Sequence, residues 1–469
     1  ELPETWNVEH AEDVVSIHRR YFEAGSDIVL ANTFGANALK YTDSKYKLEE
    51  IITHAIENVK KASSLGVQDG RETYVALDVG PTGKLLKPMG DLDFEEAVSI
   101  YTEVVKAGVR GGADLILIET MSDTYELKAA VLAAKENSDL PIFATTIFDG
   151  KGKLLTGGTP KSVVALLEGL GVDALGINCG LGPVQMKPIV EELLRYASIP
   201  VVVNPNAGLP RSEGGKTVYD IDPPEFVEEM KGMLEMGVSA VGGCCGTTPE
   251  HIRLLAEMCK GRTRQPIEPK NDTLITSYAS VVEMGTDPVI IGERINPTGK
   301  KRFQQALRER DFNYIMERAI EQQDAGADIL DINVGLPGID EAEMMTAVVK
   351  AVQSVVSLPL QIDSSDPAAI EAGLRACSGR AIVNSVNAEQ DKLDTILPIV
   401  KKYGAAVVGL TMDKSGIPQT AQARFDMAEK IMQEAMKHGI PKEDVLIDCL
   451  TLTISAQQEQ AVETLKAVR

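Results

Sequence analysis

Ala240-Val-Gly-Gly-Cys-Cys-Gly-Thr-Thr-Pro-Glu250 runs from a short apolar strand signal into a glycine-bracketed cysteine pair and then directly into a helix start. Thr248 reads as the N-cap, Pro249 as a first-turn residue and Glu250 as a first-turn acid. A hydroxyl satisfies a free N–H there, proline's missing N–H costs nothing, and a carboxylate suits the positive helix end. Adjacent strand residues face opposite sides. Cys244 and Cys245 can therefore share one partner only where the backbone leaves strand geometry, a bend that Gly242, Gly243 and Gly246 permit without steric cost. A strand that ends in reactive side chains and turns at once into a helix is one βα unit of a parallel sheet.

The same unit recurs outward from this point. Upstream, short apolar runs closing in Gly, Asn, Asp or Pro alternate with segments of helical period. They are Ile28-Val-Leu-Ala-Asn-Thr-Phe-Gly, Val75-Ala-Leu-Asp-Val-Gly-Pro, Leu115-Ile-Leu-Ile-Glu-Thr, Ile142-Phe-Ala-Thr-Thr, Ala174-Leu-Gly-Ile-Asn-Cys-Gly and Val201-Val-Val-Asn-Pro-Asn, and with the run at 240 they make seven. An eighth would close a barrel, and the missing strand is expected at the start, where the chain opens abruptly at Glu1. Residues 260–280 carry charge and proline without periodicity, so a linker is assigned to 263–283. The rhythm then restarts with six strands, at Val289-Ile-Ile-Gly-Glu-Arg-Ile-Asn, Ile329-Leu-Asp-Ile-Asn-Val-Gly, Leu360-Gln-Ile-Asp-Ser-Ser, Ile382-Val-Asn-Ser-Val-Asn, Ala406-Val-Val-Gly-Leu-Thr-Met-Asp and Val445-Leu-Ile-Asp-Cys-Leu-Thr. The expected fold is α/β: two (β/α)8 TIM-type barrels in tandem, over 1–262 and 284–469, the first lacking its first strand and the second its last two.

Composition narrows the partners. A net charge of −22 over 469 residues repels a phosphate backbone, and no Lys/Arg block overrides it, so nucleic acid is not expected. No apolar run approaches the roughly 20 residues of a membrane span. Six scattered cysteines make no disulfide framework and the N-terminus has no secretory pattern, which points to a reducing cytoplasm. Gly80-Pro-Thr-Gly-Lys and Asn296-Pro-Thr-Gly-Lys are fragments of a phosphate loop without its leading Gly or trailing Ser/Thr, and no Gly-x-Gly-x-x-Gly opens a helix.

Cys179, in Asn-Cys-Gly, stands at another strand end; with the missing strand counted, the three cysteines sit on barrel strands six and eight. Three thiolates suit zinc, which takes four tetrahedral N or S ligands and keeps one position for substrate when the protein supplies three. The bland reading is buried cysteines or a vicinal disulfide. Three thiolates leave zinc with a formal charge of −1, so a bound thiol is deprotonated and stays electron-rich, which suits alkylation rather than hydrolysis. Asn178-Cys-Gly, Gly243-Cys-Cys-Gly-Thr-Thr-Pro and Asn32-Thr-Phe-Gly resemble the homocysteine S-methyltransferase domain, over most of the first 260 residues. The resemblance implies zinc on Cys179, Cys244 and Cys245, homocysteine sulfur as an added ligand, and Glu119 holding the substrate ammonium. Glu119 otherwise reads as a helix-starting carboxylate. Asn206, at the end of the next strand, is expected to fill the fourth zinc position through its amide oxygen when homocysteine is absent.

In the second barrel Asp331, Asp363, Asn384 and Asp448 fall at strand ends, with Glu293 and Asn296 at the first. Alternation puts Asp331 and Asn333 on one face, as it does Gln361, Asp363 and Ser365. A collar of acids without histidines suits a ligand rich in N–H donors; a pterin presents an amino group and a ring N–H side by side to one carboxylate. The alternative is that these acids cap helices, as Asp366-Pro367 does on sequence. Glu293-Arg-Ile-Asn-Pro-Thr-Gly, Leu330-Asp-Ile-Asn-Val-Gly, Ile362-Asp-Ser-Ser-Asp-Pro-Ala-Ala-Ile-Glu-Ala-Gly and Val383-Asn-Ser-Val-Asn are similar to the pterin-binding family, with the last two favouring its methyltetrahydrofolate methyltransferase branch over dihydropteroate synthase. That implies a pterin held by Glu293, Asn296, Asp331, Asp363, Asn384 and Asp448, with Asn384 also catalytic.

Together the two resemblances are those of the homocysteine- and folate-binding half of the cobalamin-dependent methionine synthase family. They imply a methyltransferase that moves the methyl of 5-methyltetrahydrofolate through cobalamin to zinc-activated homocysteine. A methyl on a tertiary amine is a poor electrophile, which is why a carrier stands between the two barrels. None of the five histidines lies in that family's cobalt-ligating Asp-x-His-x-x-Gly, so cobalamin is expected on a separate cobalamin-binding domain. The rival readings are a zinc thiol methyltransferase with another donor fused to a pterin-binding barrel, and a non-catalytic binding module.

Overall fold

The structure is a computed structural model that describes residues 2–453, Ser455 and 457–469. The chain divides into two compact units after Lys270. In the first, β1 (Ile28–Leu30), β2 (Tyr74–Val79), β3 (Leu115–Met121), β4 (Ile142–Thr146), β5 (Ala174–Asn178) and β6 (Val201–Asn204) are followed by an exposed hairpin, β7 (Arg211–Glu213) and β8 (Lys216–Val218), and then by β9 (Ala240–Val241). The sheet is parallel and runs β1-β2-β3-β4-β5-β6-β9, in chain order. Each crossover carries a helix, and right-handed crossovers in unbroken order curl a sheet the way a TIM-type barrel is wound.

Among the described residues no strand pairs with the outer edges of β1 and β9. The helix Ala11–Ala24 nevertheless packs on the helix Pro249–Cys259 across that gap. Gly25 ends the first of these at φ +110, and a Cβ there would stand 2.7 Å from the Cβ of Ala256. Glycine supplies both the left-handed cap and the close approach. The helical layer thus meets where the sheet does not.

Helix starts follow local capping. Asp93, Asp123, Asp222, Asp311, Asp340 and Asp366 each accept a backbone N–H of the helix they precede. Thr248 caps as expected, in a reciprocal box with His251. Glu119, Asp331 and Asp363 lie within strands and cap nothing.

The second unit holds a six-stranded parallel sheet, again in chain order: β12 (Ile291–Ile295), β13 (Ile329–Asn333), β14 (Leu360–Asp363), β15 (Ile382–Asn387), β16 (Ala406–Leu410) and β17 (Val445–Asp448). It begins earlier than the sequence suggested. Residues read as the end of a linker form an antiparallel hairpin, β10 (Thr273–Thr276) and β11 (Val281–Met284). Ile275 packs on Ile329, Ile382 and Ala406, the first residues of three strands, with Val282 and Met284 beside it. The hairpin therefore closes the N-terminal end of the sheet. Arg380 fastens it, donating to Gly404 O, Leu274 O and the buried Asp444 carboxylate, while its own N–H reaches Thr276 Oγ1. The charge and prolines of 260–272 obscured the alternation in Thr-Leu-Ile-Thr and Val-Val-Glu-Met that follows them.

Asp444 and Arg380 are 4% and 9% exposed, so removing one partner strands a charge out of water. Asp444→Ala is expected to cost about 3–5 kcal/mol in urea unfolding of the second unit. Amide exchange should rise in 273–284 and stay unchanged around β1–β6.

Candidate functional site

In the first unit the C-terminal strand ends carry the sulfurs. The chain leaves β5 at Cys179, whose φ is +58. A left-handed non-glycine residue costs about 1–3 kcal/mol and persists only where neighbours hold it; here Cys179 N donates to Asn204 O at 3.0 Å. After β9 the backbone abandons strand geometry. Cys244 N donates to Pro205 O at 2.8 Å, and Ala207 N to Cys245 O at 2.9 Å, so the loop after β6 is laced to the cysteine loop. Gly246 turns at φ +84, and a Cβ there would strike the Tyr219 ring at 2.4 Å.

The sulfurs of Cys179, Cys244 and Cys245 all lie within 4.8 Å of one another. Cys179 Sγ is 3.7 Å and Cys244 Sγ 4.0 Å from Cys245 Sγ. Thiolates on one tetrahedral ion at Zn–S distances of about 2.3 Å stand about 3.8 Å apart, whereas a disulfide needs about 2.05 Å. All three cysteines are free and part-exposed to exposed. Cys245 is the readiest thiolate: hydrogen bonds from Cys179, Cys244 and Tyr219 hold its pKa far below the ordinary thiol range against the opposing effect of burial. Cys244 is pushed the other way by its hydrogen bonds to those two sulfurs.

Asn206 is buried beside the cluster, and its amide oxygen accepts Cys245 N–H at 3.1 Å, bracing the peptide that carries one of the sulfurs.

Glu119 lies in β3. Its Oε2 accepts Asn178 Nδ2 at 3.0 Å, and its neighbour Thr120 is left-handed at φ +60. Burial, then the negative charge of Cys245, raises the Glu119 pKa to about 7. Asp78, at the end of β2 and buried, faces Glu119 and is raised by burial and by that carboxyl. Its Oδ1 has no hydrogen-bond donor. A buried and a half-buried acid facing each other both favour the neutral form, and a cation set between them would reverse that preference. Asp78, Asn178 and Tyr219 were not singled out from sequence. Asp78 shared the strand-end signal, and Asn178 stood in the motif beside Cys179. Tyr219 follows an exposed hairpin and gave no signal at all.

In the second unit, register brings Asn333, Asp363 and Asn384 side by side on β13, β14 and β15. Asp331 Oδ1 accepts Gln361 Nε2 at 2.6 Å and Asn384 Nδ2 at 3.5 Å, and Asp363 Oδ2 accepts Asn333 Nδ2 at 3.0 Å. Burial raises the Asp331 pKa to about 7, opposed by the Gln361 hydrogen bond and helped by the charge of Asp363. Asp363 is raised by burial as well. Gln361 Oε1 is buried without a donor, an acceptor left open in the same collar.

The remaining expected residues stand apart from this network. Glu293 is exposed and paired with Lys300 at 3.1 Å, although its charge is felt at Asp331 and Asp363. The Asn296 oxygen accepts Thr298 N–H at 2.8 Å in a local turn. Asp448 is exposed, and its Oδ1 accepts Leu450 N–H at 2.7 Å. Asn and Asp side chains readily bond the backbone two residues on, and these two do so.

Comparison with known proteins bears on both units. Residues 2–259 match the family described as homocysteine S-methyltransferase, and residues 292–469 the one described as pterin binding enzyme. A methionine synthase of Mycobacterium tuberculosis (strain ATCC 25618 / H37Rv) is 35% identical over 477 residues, covering 97% of this chain and 40% of that protein. One of Mycobacterium leprae (strain TN) is 34% identical over 480 residues, with the same coverage of 97% and 40%. The chain thus spans well under half the length of these curated relatives. The metallated homocysteine methyltransferase MmuM of Escherichia coli superposes with a TM-score of 0.47 at 24% identity, over 54% of this chain and 86% of that one. Among the described residues no helix is long and apolar enough to cross a membrane.

The raised Asp331 pKa makes a stability prediction. Protonated Asp331 is favoured in the folded state, so its contribution is complete below pH about 4, where the unfolded carboxyl is also neutral, and is lost as pH rises toward about 7. Asp331→Asn should match the parent's melting temperature near pH 4 and exceed it by a few degrees at pH 8 without ligand. Scanning calorimetry of the second-unit transition reads this, and equal offsets at both pH values would refute it.

Proposed function

Because the chain belongs to the homocysteine S-methyltransferase family, we propose that its first unit activates homocysteine on zinc held by Cys179, Cys244 and Cys245, and its second binds 5-methyltetrahydrofolate. The two are the substrate sites of a cobalamin-dependent methyl transfer that yields methionine and tetrahydrofolate. The observation that carries this reading is the sulfur triad, spaced at 3.7 and 4.0 Å on two of its edges, the separation that thiolates on one tetrahedral zinc require.

Bound zinc would supply a Lewis acid that lowers the pKa of a coordinated thiol so that it binds as thiolate, its proton passing to solvent, while three protein thiolates would keep the substrate sulfur electron-rich. The protein's part is orientation. Asn206 holds the Cys245 peptide through its N–H, and the Tyr219 hydroxyl donates to the Cys245 sulfur. Glu119 and Asp78 offer carboxyl oxygens to the α-ammonium, whose charge offsets the repulsion between them.

In the second unit Asp331 and Asp363 accept the adjacent N–H donors of the pterin, and the open Gln361 oxygen takes a further one. Asn384, already donating to Asp331, turns its remaining amide capacity to the ring. The corrinoid comes on a module outside these residues, and the three reduced sulfurs call for a reducing, cytoplasmic setting.

Cys244→Ser is expected to lower zinc content below half of the parent's and methylation of homocysteine from methylcobalamin by at least about a hundredfold. A chelator should reproduce the loss in the parent and added zinc reverse it. Binding of 5-methyltetrahydrofolate, followed by fluorescence or calorimetry, should survive Cys244→Ser and weaken by about ten- to a hundredfold in Asp363→Asn. Full zinc and full turnover in Cys244→Ser would end the reading.

A further inference from the structure

Asn178 immediately precedes Cys179, ends β5 and is fully buried. Its side chain reaches across β4 to β3. Nδ2 donates to Glu119 Oε2 at 3.0 Å and to Thr120 Oγ1 at 2.7 Å. Oδ1 accepts Thr120 N–H at 2.8 Å and the Thr145 hydroxyl, from β4, at 2.7 Å. Every donor and acceptor of the amide is therefore used, on three neighbouring strand ends. Thr120, which it holds, and Cys179, which follows it in the chain, are the two non-glycine residues in left-handed backbone among the described residues of the first unit, at φ +60 and +58.

A fully satisfied buried amide is rigid, and strained backbone persists only where something holds it. One side chain thus fixes the end of the strand that carries Glu119 against the end of the strand that carries a metal-binding sulfur. An amino-acid thiol that places its sulfur on the triad and its ammonium on Glu119 must span the separation that results. Homocysteine has two methylenes between sulfur and the α-carbon, and cysteine has one.

We infer that Asn178 is a positioning residue that selects substrate length, setting the span between thiolate cluster and ammonium carboxylate so that homocysteine fits and cysteine does not. This rests on the proposed homocysteine site and deepens it. Aspartate at this position keeps the size, loses both N–H donors and sets a carboxyl against Glu119. Alanine removes the clamp outright.

The test uses the zinc-loaded chain with methylcobalamin as donor, and calorimetric binding of homocysteine and cysteine beside turnover. Asn178→Asp and Asn178→Ala should raise KM for homocysteine by about tenfold or more, the worth of hydrogen bonds to a charged group, with kcat within about twofold. Zinc content should be unchanged, and the preference for homocysteine over cysteine should fall by a similar factor. In a Glu119→Gln background the Asn178→Ala effect on KM should shrink to near nothing, because the two act through one contact. A purely structural role would lower kcat and zinc together, leave selectivity alone and add to Glu119→Gln, and that result overturns the inference. If the parent chain binds neither thiol, the homocysteine site itself is wrong and the inference goes with it.

Discussion

The first unit depends on bringing three sulfurs, from residues 66 positions apart in the chain, within 4.8 Å of one another. Thiolates repel, and nothing in a bare strand end holds them together. The backbone supplies that restraint: a left-handed turn at Cys179, glycine bends around 244–245, and hydrogen bonds from the loop after β6 to the peptides of both cysteines. The Pro205-Asn206-Ala207 segment thereby acts as a splint between the two sulfur-bearing ends. Burying side chains around this frame is secondary, because the cluster is half open to solvent as a substrate site must be.

Both units repeat one electrostatic device. Each mouth sets two acids on adjacent strands, Asp78 with Glu119 and Asp331 with Asp363, where burial favours the neutral form. Such a pair is costly when ionised and empty, and satisfied when a ligand brings N–H donors or a positive charge. Stability is given up for binding at the same atoms, which is the usual relation between a site and the fold around it.

The sequence was legible wherever a signal extends over several residues. Seven and six strands emerged from β-branched runs, in the order the sheets adopt, because parallel strands buried on both faces need such runs. The thiolates were legible because glycines flank them and a helix start follows. Direction of a single polar side chain was not legible: Asn206, Asn296 and Asp448 each carry an oxygen that accepts a backbone N–H, a contact that spacing alone does not show. Tyr219 escaped for a different reason. It reaches Cys245 from beyond an exposed hairpin, where nothing in the local pattern marks a functional residue. The hairpin at 273–284 escaped because a charged, proline-bearing run precedes it and its strands are only four residues each.

That second hairpin has a consequence for traffic. With Ile275 and its neighbours packed on the first residues of β13, β15 and β16, the sheet is covered at its N-terminal end. Asn333 and Asp363 stand at the opposite ends of their strands. A ligand of the acidic collar, such as the pterin proposed above, would therefore be met from the C-terminal side, with the hairpin as the floor beneath it.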